Sequence, residues 1–516
     1  MLAASGGAAR RADGWHARWL EGRRADVLAL LAGALSAAAL PPLCIVPVLL
    51  VAVPALLALI DTSRTPWVAA RRGWLFGFGH HLFGLYWITE AILFEAARLW
   101  WAVPLAVPAL AAVLAAFIAV PCALARWAAP GWSRVAVLAG AWVAADLARQ
   151  FVATGFPWNL WGSVWELPGL AGDVLIQPAA WIGIHGLTWL TIMLAATPAL
   201  GRRAMLGGAA VLAAWVGLGA WRISRPLPPA PGVEAVLVQG DVAEGAKWNR
   251  ALTVAIFRRY LALTREGLAT AGAGPKVVVW PETASPFLLT EDTRARDAIA
   301  EAAASGKGDP ATVLAGTVRF GADDRPRNAL AAVEPDGRIA ALYDKWHLVP
   351  FGEFQPDWFP LPFQVVPGGG FAPGSGPTTL HLPGLPPVAP IICYEAIYSG
   401  ELVSRTDRPA WLVNVTNDAW FGNSSGPRQH LAAARMRAVE EGLPLLRAAN
   451  TGITAAFDAR GHELARIATD MPGFLTVALP AALPATVYSR WGLALPASLA
   501  FLSLVIGAGM RYFTRR

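Results

Sequence analysis

Long apolar runs fill the first 225 residues of the chain, broken by short polar or basic connections. A helix needs about 20 apolar residues to cross a bilayer. Seven stretches approach that length, at 25–43, 44–60, 73–94, 100–125, 133–149, 178–200 and 204–222. An eighth lies at 490–510, and Pro41 and Pro42 blur the boundary between the first two. From residue 223 to 488 the pattern changes. After Pro226, Pro228, Pro229 and Pro231, short β-rich runs alternate with helical stretches. Strands are predicted at 233–238, 277–280, 312–318, 329–333, 340–343, 388–393, 411–415 and 454–458, and helices at 248–269, 292–304 and 428–441. This alternation predicts a layered α/β domain. The expected division is a basic N-terminus at 1–24, a membrane helical bundle at 25–225, an α/β domain at 226–488, and a last span with a basic tail at 489–516.

Composition sharpens that picture. Of 516 residues, 55% are hydrophobic and only 15% charged, with a mean hydropathy of +0.45 and 24 Trp. Soluble domains carry about 25% charged residues, so the chain reads as a membrane protein with a soluble part. The net charge of +7 comes from arginines beside apolar runs. No basic cluster interleaves with stacking aromatics in the polar region, which argues against nucleic-acid binding. Arg10, Arg11, Arg18, Arg23 and Arg24 precede the first span. Arg64, Arg71 and Arg72, then Arg126 and Arg134, then Arg202 and Arg203, fall in alternate connections, and Arg511, Arg515 and Arg516 in the tail. The other connections hold chiefly Arg98 and Arg149. The positive-inside bias then puts both termini in the cytoplasm and the polar region outside it. The basic head is long for a cleavable signal peptide. Ala37-Ala38-Ala39 mimics a cleavage site, but further spans follow at once, so the first is read as uncleaved.

Three ends of predicted strands each deliver one reactive group. Val277-Val278-Val279-Trp280-Pro281-Glu282 ends in a carboxylate, Tyr343-Asp344-Lys345 in an amine, and Ile391-Ile392-Cys393 in a thiol. Singly each has a plain structural reading: a solvated turn, a surface lysine, a core cysteine. Together they cover the needs of acyl transfer through a thioester. A free thiol is mostly protonated at neutral pH and needs a base, which Glu282 supplies. Attack on a carbonyl makes an oxyanion, which Lys345 and the backbone N–H of Tyr394 are suited to stabilise. Cys44 and Cys122 lie in apolar runs and read as packing residues. Three cysteines without a CxxC pair point to neither a disulfide framework nor a metal site.

The order Glu282, Lys345, Cys393 resembles the nitrilase superfamily. Longer stretches are similar to the apolipoprotein N-acyltransferases: Lys345-Trp346-His347-Leu348-Val349-Pro350-Phe351-Gly352-Glu353, Asn417-Asp418-Ala419-Trp420-Phe421-Gly422, Gln429-His430 and Arg447-Ala448-Ala449-Asn450. In the apolar region, Gly84-Leu85-Tyr86-Trp87 and Thr154-Gly155-Phe156-Pro157-Trp158-Asn159 also match. The resemblance implies a nitrilase-like αββα sandwich outside the cytoplasm, in the periplasm, on about eight spans of a bacterial inner membrane. It implies Glu282 as general base, Lys345 as oxyanion stabiliser and Cys393 as nucleophile. Glu353, Tyr394 and Glu395 match supporting active-site positions, and Trp248 a loop flanking the lipid entrance. Trp420 is expected beside the same apolar path. The implied reaction moves an acyl chain from a phospholipid, phosphatidylethanolamine, through a Cys393 thioester to the α-amine of an S-diacylglyceryl-cysteine on a lipoprotein. It requires no metal or organic cofactor. Asp146 and Arg149 depart from the family pattern in the fifth span.

Other features have plainer readings. Asp146 and Arg149, three apart, are placed to pair on one helix face. Trp158, Trp161 and Trp165 read as an interfacial aromatic belt, and His347 and His430 as polar supports. Gly368–Gly376 lacks the strand–helix frame of a phosphate loop and reads as a plain loop. Two other functions fit parts of the chain. A membrane-tethered nitrilase-like amidase would use the same three residues but leaves the membrane motifs unexplained. A non-catalytic lipid-binding scaffold would have no need of them.

Overall fold

The computed structural model describes residues 20–93, 100–247, 249–356 and 370–513. Trp248, Arg98, the arginines before Leu20 and part of the Gly368–Gly376 stretch lie outside the described residues. The chain divides into two units, one of Met1–Ala220 with Leu493–Arg516, the other of Trp221–Gly492.

The first unit is helical. Among the described residues, three helices are long and apolar enough to cross a membrane: Trp100–Trp127, Trp132–Thr154 and Arg202–Ser224. Gly169–Leu175 and Ala179–Ala195, bent by 93°, make a fourth if they are one broken span, and Val46–Asp61 and Ala494–Met510 are shorter apolar helices. Two expected segments differ in their bounds. The run at 25–43 ends as a helix at Ala37. The run at 73–94 starts early, at Pro66, because the Thr65 hydroxyl accepts the Val68 N–H and Pro66 fits the first turn. That helix stops at Gly84, and a six-residue helix, Ile88–Leu93, follows. Small residues let these helices approach closely. A Cβ on Gly33 would lie 1.9 Å from the Phe76 carbonyl oxygen, and one on Gly77 2.9 Å from the Ala115 Cα.

Trp158, Trp161 and Trp165 do not form an interfacial belt. All three are buried, and Trp161 packs on Trp142 and Phe76 with ring centroids 4.6 and 6.2 Å apart. Indoles this large are held by close packing, which the sequence pattern alone does not separate from a belt. Asp146 and Arg149 do pair, at 2.8 Å, both buried.

Among its described residues, the second unit has eleven strands in two sheets. The first sheet has the order β11-β1-β2-β3-β4-β5, with β1 Glu234–Gln239, β2 Lys276–Val279, β3 Thr312–Phe320, β4 Pro326–Val333, β5 Ile339–Asp344 and β11 Gly473–Ala478. The second has the order β10-β9-β8-β7-β6, with β6 Val388–Ile392, β7 Trp411–Thr416, β8 Leu445–Ala449, β9 Thr454–Phe457 and β10 Glu463–Ile467. The centre of each is parallel: β1, β2 and β3 in one, β6, β7 and β8 in the other. Alternate residues of β1 serve two cores. Ala235 and Leu237 join Ile392, Val413 and Leu446 between the sheets. Val236 and Val238 pack outward against helices Thr253–Thr270 and Thr293–Ala303. Helix Gly426–Glu441 covers the second sheet's outer face, with Leu431, Ala434 and Ala438 against Ile391, Leu412 and Leu445. The result is an α–β–β–α stack. Strands covered on both faces read as continuous apolar runs, which is why most were visible in the sequence.

Candidate active site

The central strands of both sheets end in the residues that carry chemistry. After β2, Trp280-Pro281-Glu282 is held against β3 by the Trp280 N–H donating to the Leu314 carbonyl at 2.8 Å and the Ser285 N–H to that of Gly316 at 2.9 Å. The approach is close: a Cβ on Gly316 would sit 2.1 Å from the Pro281 carbonyl oxygen. After β5, the Lys345 N–H donates to the Asn328 carbonyl at 2.8 Å. After β6, Cys393 adopts φ +50° and opens a short 3-10 helix, Cys393–Ile397. A non-glycine residue in that region costs about 1–2 kcal/mol, and such strain persists only where the surroundings enforce it.

Glu282 and Lys345 meet. Lys345 Nζ donates to Glu282 Oε1 at 3.1 Å and to Glu353 Oε1 at 2.9 Å. Asn328 Nδ2 bridges the same two oxygens at 2.7 and 2.9 Å. Glu282 Oε2 accepts the Asn417 N–H at 2.8 Å, and Glu353 Oε2 the Val349 N–H at 2.8 Å. Lys345 is 1% and Glu282 6% exposed, so these charges persist only because each is paired and hydrogen-bonded. Burial alone would raise the Glu282 carboxyl, but the charges of Lys345 and Lys247 and the Asn328 hydrogen bond outweigh it and hold it below its ordinary value. Burial works against the Lys345 charge, yet Glu282, Glu353 and Cys393 hold that ammonium well above its ordinary value. The Cys393 thiol is pushed up by burial and by Glu282, while Lys345 opposes the rise. The charges of Glu282 and Lys345 thus act on the thiol itself, and all three predicted groups share one buried centre.

The supporting residues divide by task. Glu395 is a tie between strand ends: Oε1 accepts the Trp346 N–H at 2.8 Å and the Tyr343 hydroxyl at 3.0 Å, and Oε2 the Ile392 N–H at 2.6 Å. It therefore fixes the backbone next to both Lys345 and Cys393. Tyr394 is buried and packs edge-on against Tyr398, 5.5 Å away. His347 stacks on Tyr398 at 3.7 Å. Trp420, 40% exposed, sits on the turn Asp418–Phe421 that follows β7.

Sequence reasoning passed over several participants. Asn328 fell just outside the strand predicted from Ala329. A buried amide inside an apolar strand was the available signal, because such a group needs a partner. Lys247, also buried, donates to the Glu282 carbonyl at 3.2 Å and to the Thr283 hydroxyl. Donor atoms of Cys393, Asp418 and His430 lie within 4.8 Å of one another. Both His430 ring nitrogens and both Asp418 oxygens already meet hydrogen-bond partners: His430 the Cys393 carbonyl and Asp418, and Asp418 in turn Thr416 and Arg447.

Residues 32–197 match the model described as the apolipoprotein N-acyltransferase N-terminal domain, and residues 237–486 the carbon-nitrogen hydrolase model. An apolipoprotein N-acyltransferase from Bradyrhizobium diazoefficiens is 39% identical, covering 96% of each chain. One from Rhodopseudomonas palustris is 38% identical, covering 95% of each. A solved amidase from Nesterenkonia sp. is similar at 16% identity, covering 50% of this chain and 94% of its own, with a TM-score of 0.36, and adds nothing to the assignment. On its near-full-length relatives and its two matched domains, the chain belongs to the apolipoprotein N-acyltransferase family.

Proposed function

We propose that this acyltransferase works by a two-step exchange at Cys393. The thiol gives its proton to Glu282 as the sulfur attacks an ester carbonyl of a phospholipid, phosphatidylethanolamine by the family resemblance. Lys345 and the Tyr394 N–H stabilise the oxyanion. The lysophospholipid oxygen takes the proton back as it leaves, and an acyl thioester remains. The neutral α-amine of an N-terminal S-diacylglyceryl-cysteine then attacks and forms the amide. Its proton passes to Glu282 and returns to the departing sulfur. Glu353 fixes Lys345, Glu395 fixes the two strand ends, and Trp248 and Trp420 flank an apolar path for the acyl chain. None of these steps calls on a metal or organic cofactor. The observation that carries the reading is the shared buried cluster, in which Glu282 and Lys345 are hydrogen-bonded and both charges act on Cys393.

The proposed setting is the bacterial inner membrane, with eight spans, both termini cytoplasmic and residues 226–488 periplasmic. The alternation of arginines and the apolar helices support it. Segments 1–24, 25–225 and 489–516 then serve as basic head, bundle and returning span.

Intact-mass analysis of the enzyme incubated with phospholipid tests the chemistry. An acyl adduct on Cys393, absent from Cys393→Ala and discharged by a diacylglyceryl lipopeptide, is the expected result. Discharge by water as fast as by the amine would favour a tethered amidase, and no adduct at all would overturn the mechanism.

A further inference from the structure

The proposed chemistry uses Cys393 and the N–H that follows it, but His430, Asp418 and Arg447 are buried beneath them. His430 Nε2 lies 2.9 Å from the Cys393 carbonyl oxygen, and Nδ1 lies 2.8 Å from Asp418 Oδ1. The Cys393 carbonyl can only accept, so Nε2 carries the proton and donates to it, while Nδ1 faces Asp418 Oδ1 and, at 3.2 Å, Arg447 Nη2. Asp418 is itself fixed: the Thr416 hydroxyl donates to Oδ1 at 2.9 Å and Arg447 to Oδ2 at 2.6 Å. Arg447 also bonds Asn414 on β7 and the Ile453 carbonyl. The chain of contacts therefore runs from the second sheet to one peptide group, the one joining Cys393 to Tyr394. That group is planar and trans, so its C=O and N–H point in opposite directions. A carbonyl pinned toward His430 aims the Tyr394 N–H away from it. We propose that His430, anchored by Asp418 and Arg447, is a positioning residue that locks the Cys393–Tyr394 peptide and so aims the Tyr394 N–H at the oxyanion. The φ of +50° at Cys393 is the conformation this lock would have to hold. The inference rests on the reading of Cys393 as nucleophile.

Two substitutions separate the lock from a general structural role. In His430→Gln the amide nitrogen can stand near the Nε2 position and still donate to the Cys393 carbonyl. In His430→Asn the shorter amide reaches Asp418 but not the carbonyl. Full-length enzyme in detergent is assayed for thioester formation with phosphatidylethanolamine, for KM, and for alkylation of Cys393 by iodoacetamide, which attacks carbon without forming an oxyanion. His430→Asn is expected to lose about 10²–10³ in acylation rate, as for one oxyanion donor, with KM and alkylation within a few-fold of wild type. His430→Gln is expected to stay within about tenfold of wild type, by the same reasoning that the bond is kept. Equal losses in the two variants, or alkylation falling in step with acylation, would overturn the proposal. A His430→Gln chain that fails to fold also counts against it, since that variant keeps the bond in question. If wild-type enzyme shows no adduct on Cys393, the nucleophile reading has failed instead, and the lock falls with it.

Discussion

A thiol kept protonated by burial can attack only if its proton leaves in the same step. Burial and Glu282 both push the Cys393 thiol up, while Glu282 is held ionised by Lys345, Lys247 and Asn328. On the proposed mechanism the proton therefore passes to Glu282 during attack, not before it. Cys393→Ala is expected to abolish acylation, as judged by mass. Glu282→Gln should slow both half-reactions by about 10²–10⁴ if it transfers the proton. Lys345→Met should cost about 10²–10³. The pH profile follows from the same directions. Glu282 titrates below its ordinary 4.5 and Lys345 well above its ordinary 10.5, so neither changes charge near neutrality. Acyl-enzyme formation should be flat from about pH 5 to 9. Transfer to the lipopeptide should rise with pH through the acceptor amine, whose pKa is about 7.7–8.0. Stopped single turnovers on each half-reaction check this, and an acid limb near pH 6.5 in the first would remove Glu282 as an ionised base.

Strand ends, not strands, hold these groups, and the elements set their spacing. Gly316 on β3 allows the turn carrying Glu282 to lie against it. Gly316→Ala puts a methyl into the Pro281 carbonyl and should destabilise by about 1–3 kcal/mol, as overpacking does. Thermal unfolding in detergent and the acylation rate should fall together, and an unchanged melting temperature would show that the turn yields. Glu395→Gln is expected to cost about 1–3 kcal/mol, because a donor then faces an N–H left without its acceptor. The sequence named eight of the eleven strands. It missed β8, β10 and β11: β8 carries the buried Arg447, and β10 is half-exposed at the sheet's edge. A charge inside a core strand is legible only once its partners Asp418 and Asn414 are known.

At the scale of the whole chain the open prediction is topology. A reporter fused near residue 300 should signal from the periplasm, and one after the last helix from the cytoplasm. A cytoplasmic signal at residue 300 would sink the compartment and the eight-span count together. The sequence by itself pointed to the family, through motifs such as Lys345–Glu353, to a change from apolar runs to an α/β pattern, and to Glu282, Lys345 and Cys393 as the proposed catalytic set. The family rests on the resemblance of those motifs; the other two follow from local facts, apolar runs of a given length and reactive groups standing at the ends of such runs. Tertiary structure alone decided which distant groups meet. Asn328 joins Glu282 to Glu353, Glu395 ties one strand end to another, and His430 reaches the carbonyl of Cys393, 37 residues away along the chain. The wells of Trp158, Trp161 and Trp165 were likewise settled by packing, because an indole's preference for a partner or for an interface depends on what surrounds it. A hydrogen bond has no signature in one residue; it exists only when the fold has brought donor and acceptor within about 3 Å.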